Sequence, residues 1–196
     1  MNAITNEIRA ALDALRGKTP LIHLITNYVT VNDVANALLA IGASPVMADD
    51  IGEAADIAAL SSALVLNIGT LNGRTLASMI AAGRRANALG IPVVFDRVGA
   101  GASRLRNEAV GTILAEVKIA VLRGNLSEAS FAAGLGASTR GVDSAAADAK
   151  NDGAAVARAV AEKYGCVAAV TGKTDFISGG GRALRITQRD VRELQL

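Results

Sequence analysis

Residues 25–50, ITNYVTVNDVANALLAIGASPVMADD, place a dense polar cluster directly at the end of an apolar segment. The preceding stretch, Leu21–Ile25, is short and apolar, which is typical of an inner strand of a parallel sheet. Polar side chains crowd the turn that follows this strand: Thr26, Asn27, Thr30, Asn32 and Asp33. Because loops at strand ends often carry chemistry, the turn is predicted to form part of a binding site.

Part of this polar cluster has a structural explanation. Thr30 and Asp33 have the spacing of a capping box at the start of a helix whose apolar face includes Val34 and Leu38. That interpretation leaves Asn27 without a structural task. Its carboxamide is therefore predicted to hold a neutral small molecule through both its donor and its acceptor.

The composition indicates one soluble α/β domain. A chain of 196 residues, 51% hydrophobic and 3% aromatic, is long enough for a large core and short for two full domains. It has no apolar run of bilayer length, and its first residues predict an amphipathic helix instead of an export signal. The single cysteine, Cys166, lies in an apolar run and fits a core thiol in a reducing cytoplasm.

The charge pattern and the rarity of histidine exclude several classes of function. The net charge of +2 comes from scattered residues without a basic run, so nucleic acid is not an expected partner. One histidine and one cysteine cannot build a metal site of the usual His/Cys type, which needs about four clustered ligands. Any bound metal is expected to be held by oxygen atoms.

Apolar strands alternate with helical stretches along the chain, which predicts repeated β-α units and a mostly parallel sheet. The clearest helix is expected from about Arg74 to Leu89, ended by Gly90 and Pro92. Residues 1–186 are predicted to form a single domain, with an edge strand at Arg182 to Ile186. The six inner strands are expected at Leu21–Ile25, Pro45–Ala48, Ala63–Ile68, Pro92–Asp96, Ile119–Leu122 and Cys166–Val170.

Asp96 ends the strand VVFD and is followed by the glycine-rich turn RVGAGAS, which is expected to place a carboxylate beside a run of exposed backbone N–H groups. The turn lacks the third small residue of a dinucleotide fingerprint, so a Rossmann dehydrogenase is not favoured. A magnesium ion between Asp96 and a phosphate would reconcile the carboxylate with a phosphate site. An aspartate that merely caps the turn explains the pattern about as well.

The next strand ends in Arg123, whose forked donors suit phosphate oxygens. Glu128 follows and could join Asp96 around hydrated magnesium, although Asn125 and Glu128 also have capping-box spacing. The last inner strand ends in Thr171, a hydroxyl placed to meet a nucleotide.

Two other residues are better explained by packing when spacing alone is considered. His23 lies within an apolar strand and is predicted to be a hydrogen-bonded core histidine instead of a catalytic base. Met47 ends the short predicted strand SPVMA and, on spacing alone, is expected to pack in the core.

Several long blocks, taken in order, resemble the hydroxyethylthiazole kinases of the ribokinase-like superfamily: residues 25–50, ALVLNIGTLN, IPVVFD with VGAGAS, and VLRGNLSE. The resemblance runs from about Pro20 to about Ile186. It implies an α/β ribokinase-like fold with a mostly parallel central sheet and helices on both faces. It also implies magnesium-dependent transfer of the ATP γ-phosphate to the alcohol of 4-methyl-5-(2-hydroxyethyl)thiazole in thiamine biosynthesis or salvage, by a homotrimer.

The resemblance also assigns roles to individual positions. Asn27, Met47 and Gly69 correspond to thiazole contacts, Arg123 and Thr171 to ATP contacts, and Asp96 and Glu128 to the carboxylates near magnesium.

Two departures from the family pattern affect these expectations. Arg97 replaces the proline that follows the family's aspartate, which puts a long cation beside the proposed metal carboxylate. The chain is also expected to lack the C-terminal part of the fold, including the Gly-Thr-Gly-Cys segment, and 187–196 is a divergent tail. No catalytic residue is therefore assigned. The alternative to a kinase is an impaired remnant that binds a thiazole-like ligand or only oligomerises.

Overall fold

The computed structural model describes residues 3–134 and 152–187. The described chain alternates strands and helices, as predicted. Most of the Gly134 to Gly153 excursion and of the 187–196 tail lies outside the described residues. The elements are α1 Ala3–Lys18, β1 Leu21–Ile25, α2 Val31–Ile41, β2 Ser44–Val46, α3 Ala54–Leu60, β3 Ala63–Asn67, α4 Gly73–Ala88, β4 Val93–Asp96, α5 Arg104–Glu116, β5 Val121–Asn125, α6 Leu126–Ala133, α7 Gly153–Tyr164, β6 Val167–Thr171, β7 Thr174–Gly179 and β8 Arg182–Thr187.

The described residues divide into two compact units. The first unit contains the described part of Met1–Val93 together with Ile113–Lys118, and the second contains Val94–Thr112 and the described part of Ile119–Leu196. The single domain expected for residues 1–186 stays a prediction.

In the first unit, three parallel strands lie in the order β2-β1-β3. The apolar sequence of the central strand β1 suits its position, because the neighbouring strands and the packed helices shield it from water. Its residues Leu24 and Ile25 are only 2% and 1% exposed. Helix α4 begins with a capping box between Asn72 and Thr75. The carboxyl ends of the three strands therefore lie at one edge, where their loops can share a site.

In the second unit, β4, β5 and β6 are parallel, and β7 and β8 add an antiparallel hairpin. The register sets Asp96 beside Arg123 and Asn125 beside Thr171, so polar side chains of neighbouring strand ends are adjacent. Cys166 is buried, as predicted, and burial raises the pKa of its thiol. This topology is α/β with a mostly parallel arrangement, in agreement with the sequence-based prediction.

Within the described ranges, no helix combines the length and the apolar character needed to cross a bilayer.

Candidate functional site

Asn27, Met47 and Gly69 lie in the loops that follow β1, β2 and β3, and we refer to them as the first-unit cluster. Asn27 is held by two partners. Its Oδ1 accepts hydrogen bonds from the Thr30 backbone N–H and from Thr30 Oγ1, both at 3.0 Å. Its Nδ2 donates to Asn67 Oδ1 at 3.2 Å. Asn27 therefore has a structural task that the sequence pattern did not reveal.

The predicted capping box at the start of α2 is wrong. Thr30 occupies the N-cap position, but its side chain makes no cap hydrogen bond. The hydroxyl donates instead to Asn27, three residues earlier, because that acceptor is held beside it by the turn.

The remaining hydrogen-bonding capacity of Asn27 limits what it can do for a ligand. A carboxamide oxygen has two lone pairs, and both face Thr30 atoms. The amide nitrogen has two hydrogens, and only the one directed at Asn67 has a partner among the described residues. Asn27 is therefore available as a donor only, which corrects the expectation that it offers both a donor and an acceptor.

Gly69 and Met47 flank this asparagine in different ways. A Cβ at Gly69 would lie 2.8 Å from Asn27 Cβ and 2.9 Å from Asn67 Oδ1, so only glycine permits this approach without displacing them. Met47 lies one residue beyond β2 and its side chain is 36% exposed. The core-packing role expected from spacing is therefore wrong for Met47, which is free to offer a soft apolar contact at the surface.

A polar cluster that sequence reasoning missed lies next to these residues. Tyr28 Oη donates to Asp49 Oδ2 at 2.5 Å, and Arg74 Nη2 lies 3.6 Å from the same oxygen and 3.5 Å from Tyr28 Oη. The hydrogen bond to Asp49 raises the pKa of Tyr28. The Tyr28 backbone N–H also donates to Thr70 Oγ1 at 3.2 Å. These contacts tie together the loops after β1, β2 and β3.

His23 is a core residue, as predicted. It is fully buried in β1, and its Nε2 lies 2.8 Å from the Ala48 carbonyl oxygen, which makes Nε2 the protonated nitrogen of the neutral ring. Burial lowers its pKa. The bond secures the backbone between Met47 and Asp49.

Asp96, Arg123, Glu128 and Thr171 lie in the second unit, and we refer to them as the second-unit cluster. Arg123 Nη1 donates to Asp96 Oδ2 at 2.8 Å across the β4–β5 register. The Asp96 side chain is 16% exposed and that of Arg123 is 46% exposed. The guanidinium therefore keeps donor groups directed to solvent, where they can meet oxyanions.

Glu128 forms the capping box predicted with Asn125. It is only 5% exposed, and each carboxylate oxygen accepts a backbone N–H: Oε1 from Gly99 at 2.7 Å and Oε2 from Asn125 at 2.8 Å. Glu128 thus joins the start of α6 to the glycine-rich turn after β4.

Several backbone amides of that turn are already hydrogen-bonded, which contradicts the expectation of a run of exposed N–H groups. The Gly101 N–H donates to Asn107 Oδ1 at 2.7 Å, and the Ala100 N–H donates to the Arg97 carbonyl oxygen at 2.9 Å. Together with the Gly99 bond to Glu128, these contacts occupy backbone N–H groups that would otherwise be available to a phosphate.

Arg97 is buried, with 1% of its surface exposed. Its Nε and Nη1 have no hydrogen-bond partner within residues 3–134 and 152–187. Desolvation lowers the pKa of Arg97 to about 10, opposed by the negative charge of Glu128. Gly124 makes room for this pair, since Glu128 Oε2 and Arg97 Nη2 lie 2.9 and 3.2 Å from the position its Cβ would occupy.

Thr171 ends β6 beside Asn125. Its Oγ1 lies 3.4 Å from the Gly124 carbonyl oxygen, which orients the hydroxyl towards β5 and leaves its lone pairs for another donor. Thr171 also lines a cavity of about 400 Å³ at this strand end.

Comparisons with known proteins identify the family of this chain. A model described as the hydroxyethylthiazole kinase family matches residues 12–191. The chain belongs to the hydroxyethylthiazole kinase family. A relative from Ruminiclostridium cellulolyticum, named hydroxyethylthiazole kinase, is 62% identical over 187 residues, which cover 95% of this chain and 68% of that protein.

Solved structures agree with the family and with the fold. The hydroxyethylthiazole kinase protein from Pyrococcus horikoshii OT3 is 36% identical and superimposes with a TM-score of 0.84, covering 96% of this chain and 70% of that one. A ribokinase-like superfamily protein from Enterococcus faecalis has a TM-score of 0.55 at 9% identity over 90% of this chain and 66% of that one. The resemblance seen in the sequence blocks is confirmed, and so is the ribokinase-like fold.

Proposed function

We propose that this chain transfers the γ-phosphate of ATP to the primary alcohol of 4-methyl-5-(2-hydroxyethyl)thiazole, a step of thiamine salvage. The observation that carries the proposal is the family match over residues 12–191, with a relative named hydroxyethylthiazole kinase at 62% identity. The geometry supports it because both clusters lie at the carboxyl ends of parallel strands, where α/β folds bind ligands.

The first-unit cluster suits the thiazole alcohol. The spare N–H of Asn27 would donate to an acceptor of the substrate, either the ring nitrogen or the hydroxyl oxygen. Met47 would contact the apolar ring through its exposed thioether. Gly69 would let the substrate and the Asn27 carboxamide approach the same backbone segment.

The second-unit cluster suits the nucleotide. Arg123 would place its unused donors on the phosphates while Asp96 holds the guanidinium in position. Thr171 would add a hydroxyl. Because the transferred phosphoryl group carries charge on its oxygens, a fixed cation near it stabilises the transition state more than the ground state.

Magnesium belongs to the proposal as the ion that accompanies ATP and neutralises its phosphates. Asp96 suits this role better than Glu128, since its side chain is 16% exposed and Glu128 is 5% exposed. Both Glu128 oxygens already accept backbone amides, so Glu128 would act through its charge. The described residues hold no group of three or more His, Cys, Asp or Glu side chains that could bind a metal without the nucleotide.

The test is a coupled assay of ADP release with ATP, magnesium and the thiazole alcohol, combined with calorimetry for each ligand. Asn27→Asp should weaken alcohol binding by about tenfold or more, since the change removes the donor and sets a carboxylate against Asn67 Oδ1. Asn32→Asp, at an exposed position in the first turn of α2, is the matched control. Arg123→Gln should weaken ATP binding, whereas Arg104→Gln, at a side chain 90% exposed, should not. Absence of alcohol-dependent ADP release would contradict the proposal.

We also propose a homotrimer in a reducing cytoplasm, as the family resemblance and the single, buried Cys166 suggest. Exposed apolar side chains such as Val29, 82% exposed, and Leu60, 73% exposed, offer surface that a second copy could cover. Sedimentation of the purified chain tests this, and a monomer at micromolar concentration would contradict it.

A further inference from the structure

We propose that the cavity beside Thr171 in the second unit is a nucleotide pocket in which Lys173 binds the phosphate groups and Phe176 contacts the base. The inference rests on the proposed kinase function and assigns it two further residues. It is carried by the combination of one unpaired cation, two hydroxyls and an apolar floor in a single concave space.

The cavity has the size and the lining of a ligand site. Its volume is about 400 Å³, within the range of about 300–1,000 Å³ that is usual for small-molecule pockets. Leu126, Val170 and Phe176 supply apolar surface, and the hydroxyls of Thr171 and Thr174 supply polar groups. A molecule with a flat apolar part and an anionic part matches this lining.

Of the described residues that line the cavity, Lys173 alone carries a charge. Its ammonium group is exposed and has no hydrogen-bond or ion-pair partner within residues 3–134 and 152–187. The turn that carries it is fixed, because the Gly172 N–H donates to Asp175 Oδ1 at 2.9 Å. An ammonium on a fixed turn is suited to act as a point charge for phosphate oxygens.

Another part of the cavity lining is formed where α7 begins. A Cβ at Gly153 would lie 2.5 Å from Phe176 Cδ2 and 2.7 Å from Cε2, so glycine allows the helix to start directly against the aromatic ring. Asp152 caps the helix by accepting the Ala154 N–H at 3.0 Å. This carboxylate offsets the positive end of the helix, so Lys173 is the group in the lining of this cavity that can attract an anion.

Calorimetry with ATP and with adenosine separates the two assigned contacts. Lys173→Met should raise the Kd of ATP by about fivefold or more at low salt and change the Kd of adenosine by less than about twofold. Lys173→Arg should restore ATP binding to within about threefold. Phe176→Leu should weaken ATP and adenosine by the same factor, since both carry the base. Lys118→Met, a change of the same charge at an exposed lysine of the first unit, is the control.

Each outcome has a distinct meaning. If the parent chain binds ATP and Lys173→Met binds it equally well, the pocket assignment is wrong and the kinase proposal stands. The same conclusion follows if Lys173→Met loses affinity for ATP and for adenosine by the same factor. A parent chain that binds no ATP would refute both. Unfolding curves for every variant show that a loss of affinity does not come from a loss of fold.

Discussion

We expect Arg97→Met to stabilise the protein. Arg97 is 1% exposed, and its Nε and Nη1 find no partner within the described residues. A buried charge without full hydrogen bonding lowers the free energy of unfolding, because its contacts in the protein do not offset the loss of its hydration. Methionine keeps much of the aliphatic volume of the side chain and carries neither charge nor N–H groups.

The magnitude follows from the pKa of Arg97, which burial lowers from 12.5 to about 10. That difference corresponds to roughly 3 kcal/mol of unfavourable free energy for keeping the guanidinium charged. This value already includes the attraction of Glu128, which keeps its two backbone hydrogen bonds when Arg97 is replaced. We therefore expect the free energy of unfolding to rise by about 3 kcal/mol, or the melting temperature by roughly 6–12 °C.

Urea unfolding followed by far-ultraviolet circular dichroism is the appropriate assay, because the chain contains no tryptophan. The gain should be constant at any pH well below the folded pKa of about 10 and should shrink as pH rises through that value, where the folded state sheds the charge. Arg97→Lys keeps a buried charge and should bring no gain. A loss of about 1 kcal/mol or more in Arg97→Met, with native dichroism, would refute the reasoning.

Three further predictions concern the first unit. Burial lowers the pKa of His23 below 6.5, so stability should fall as pH drops through about 6.5, and His23→Gln should flatten this dependence in unfolding curves measured across that range. Gly69→Ala should raise the Kd of the thiazole alcohol by about tenfold, because the new Cβ displaces the Asn27 side chain; unchanged calorimetry would contradict this. Tyr28→Phe, which loses the bond to Asp49, should raise KM for the alcohol by about threefold and change unfolding by less than about 1 kcal/mol, whereas an equal fall in kcat would point to a different role.

Strand positions could be predicted wherever an apolar run is bounded by turn residues. Strand β1 has the predicted limits, and α4 lies within one residue of them. Strand β7 was missed because its sequence, TDFISG, mixes polar and small residues, and only Ser178 within it is buried. It is an added antiparallel strand, so its pairing with β6 and β8 determines its structure more than any apolar pattern does.

The roles of polar side chains were predictable only where their partners are close in sequence and have no competitor. Asn125 and Glu128 form the expected capping box, whereas Thr30 turns to Asn27, which the turn holds nearby. The bond between Tyr28 and Asp49 spans 21 positions and depends on which strands are adjacent. A single sequence gives no signal for such a pair, because strand order is decided by the packing of the whole sheet.

The hydrogen bonds already made inside each cluster determine the kind of ligand that each can accept. The Asn27 carbonyl oxygen already accepts hydrogen bonds from Thr30, so one N–H of its amide is available to a ligand. One N–H group of Arg123 donates to Asp96, and its other donors are available. Each carboxylate oxygen of the buried Glu128 already accepts a hydrogen bond from a backbone amide. The groups of the two clusters that are still available to a ligand are mostly hydrogen-bond donors and positive charge. Such a surface selects molecules rich in acceptors, and both the thiazole alcohol and the nucleotide phosphate of the proposed reaction are of that kind.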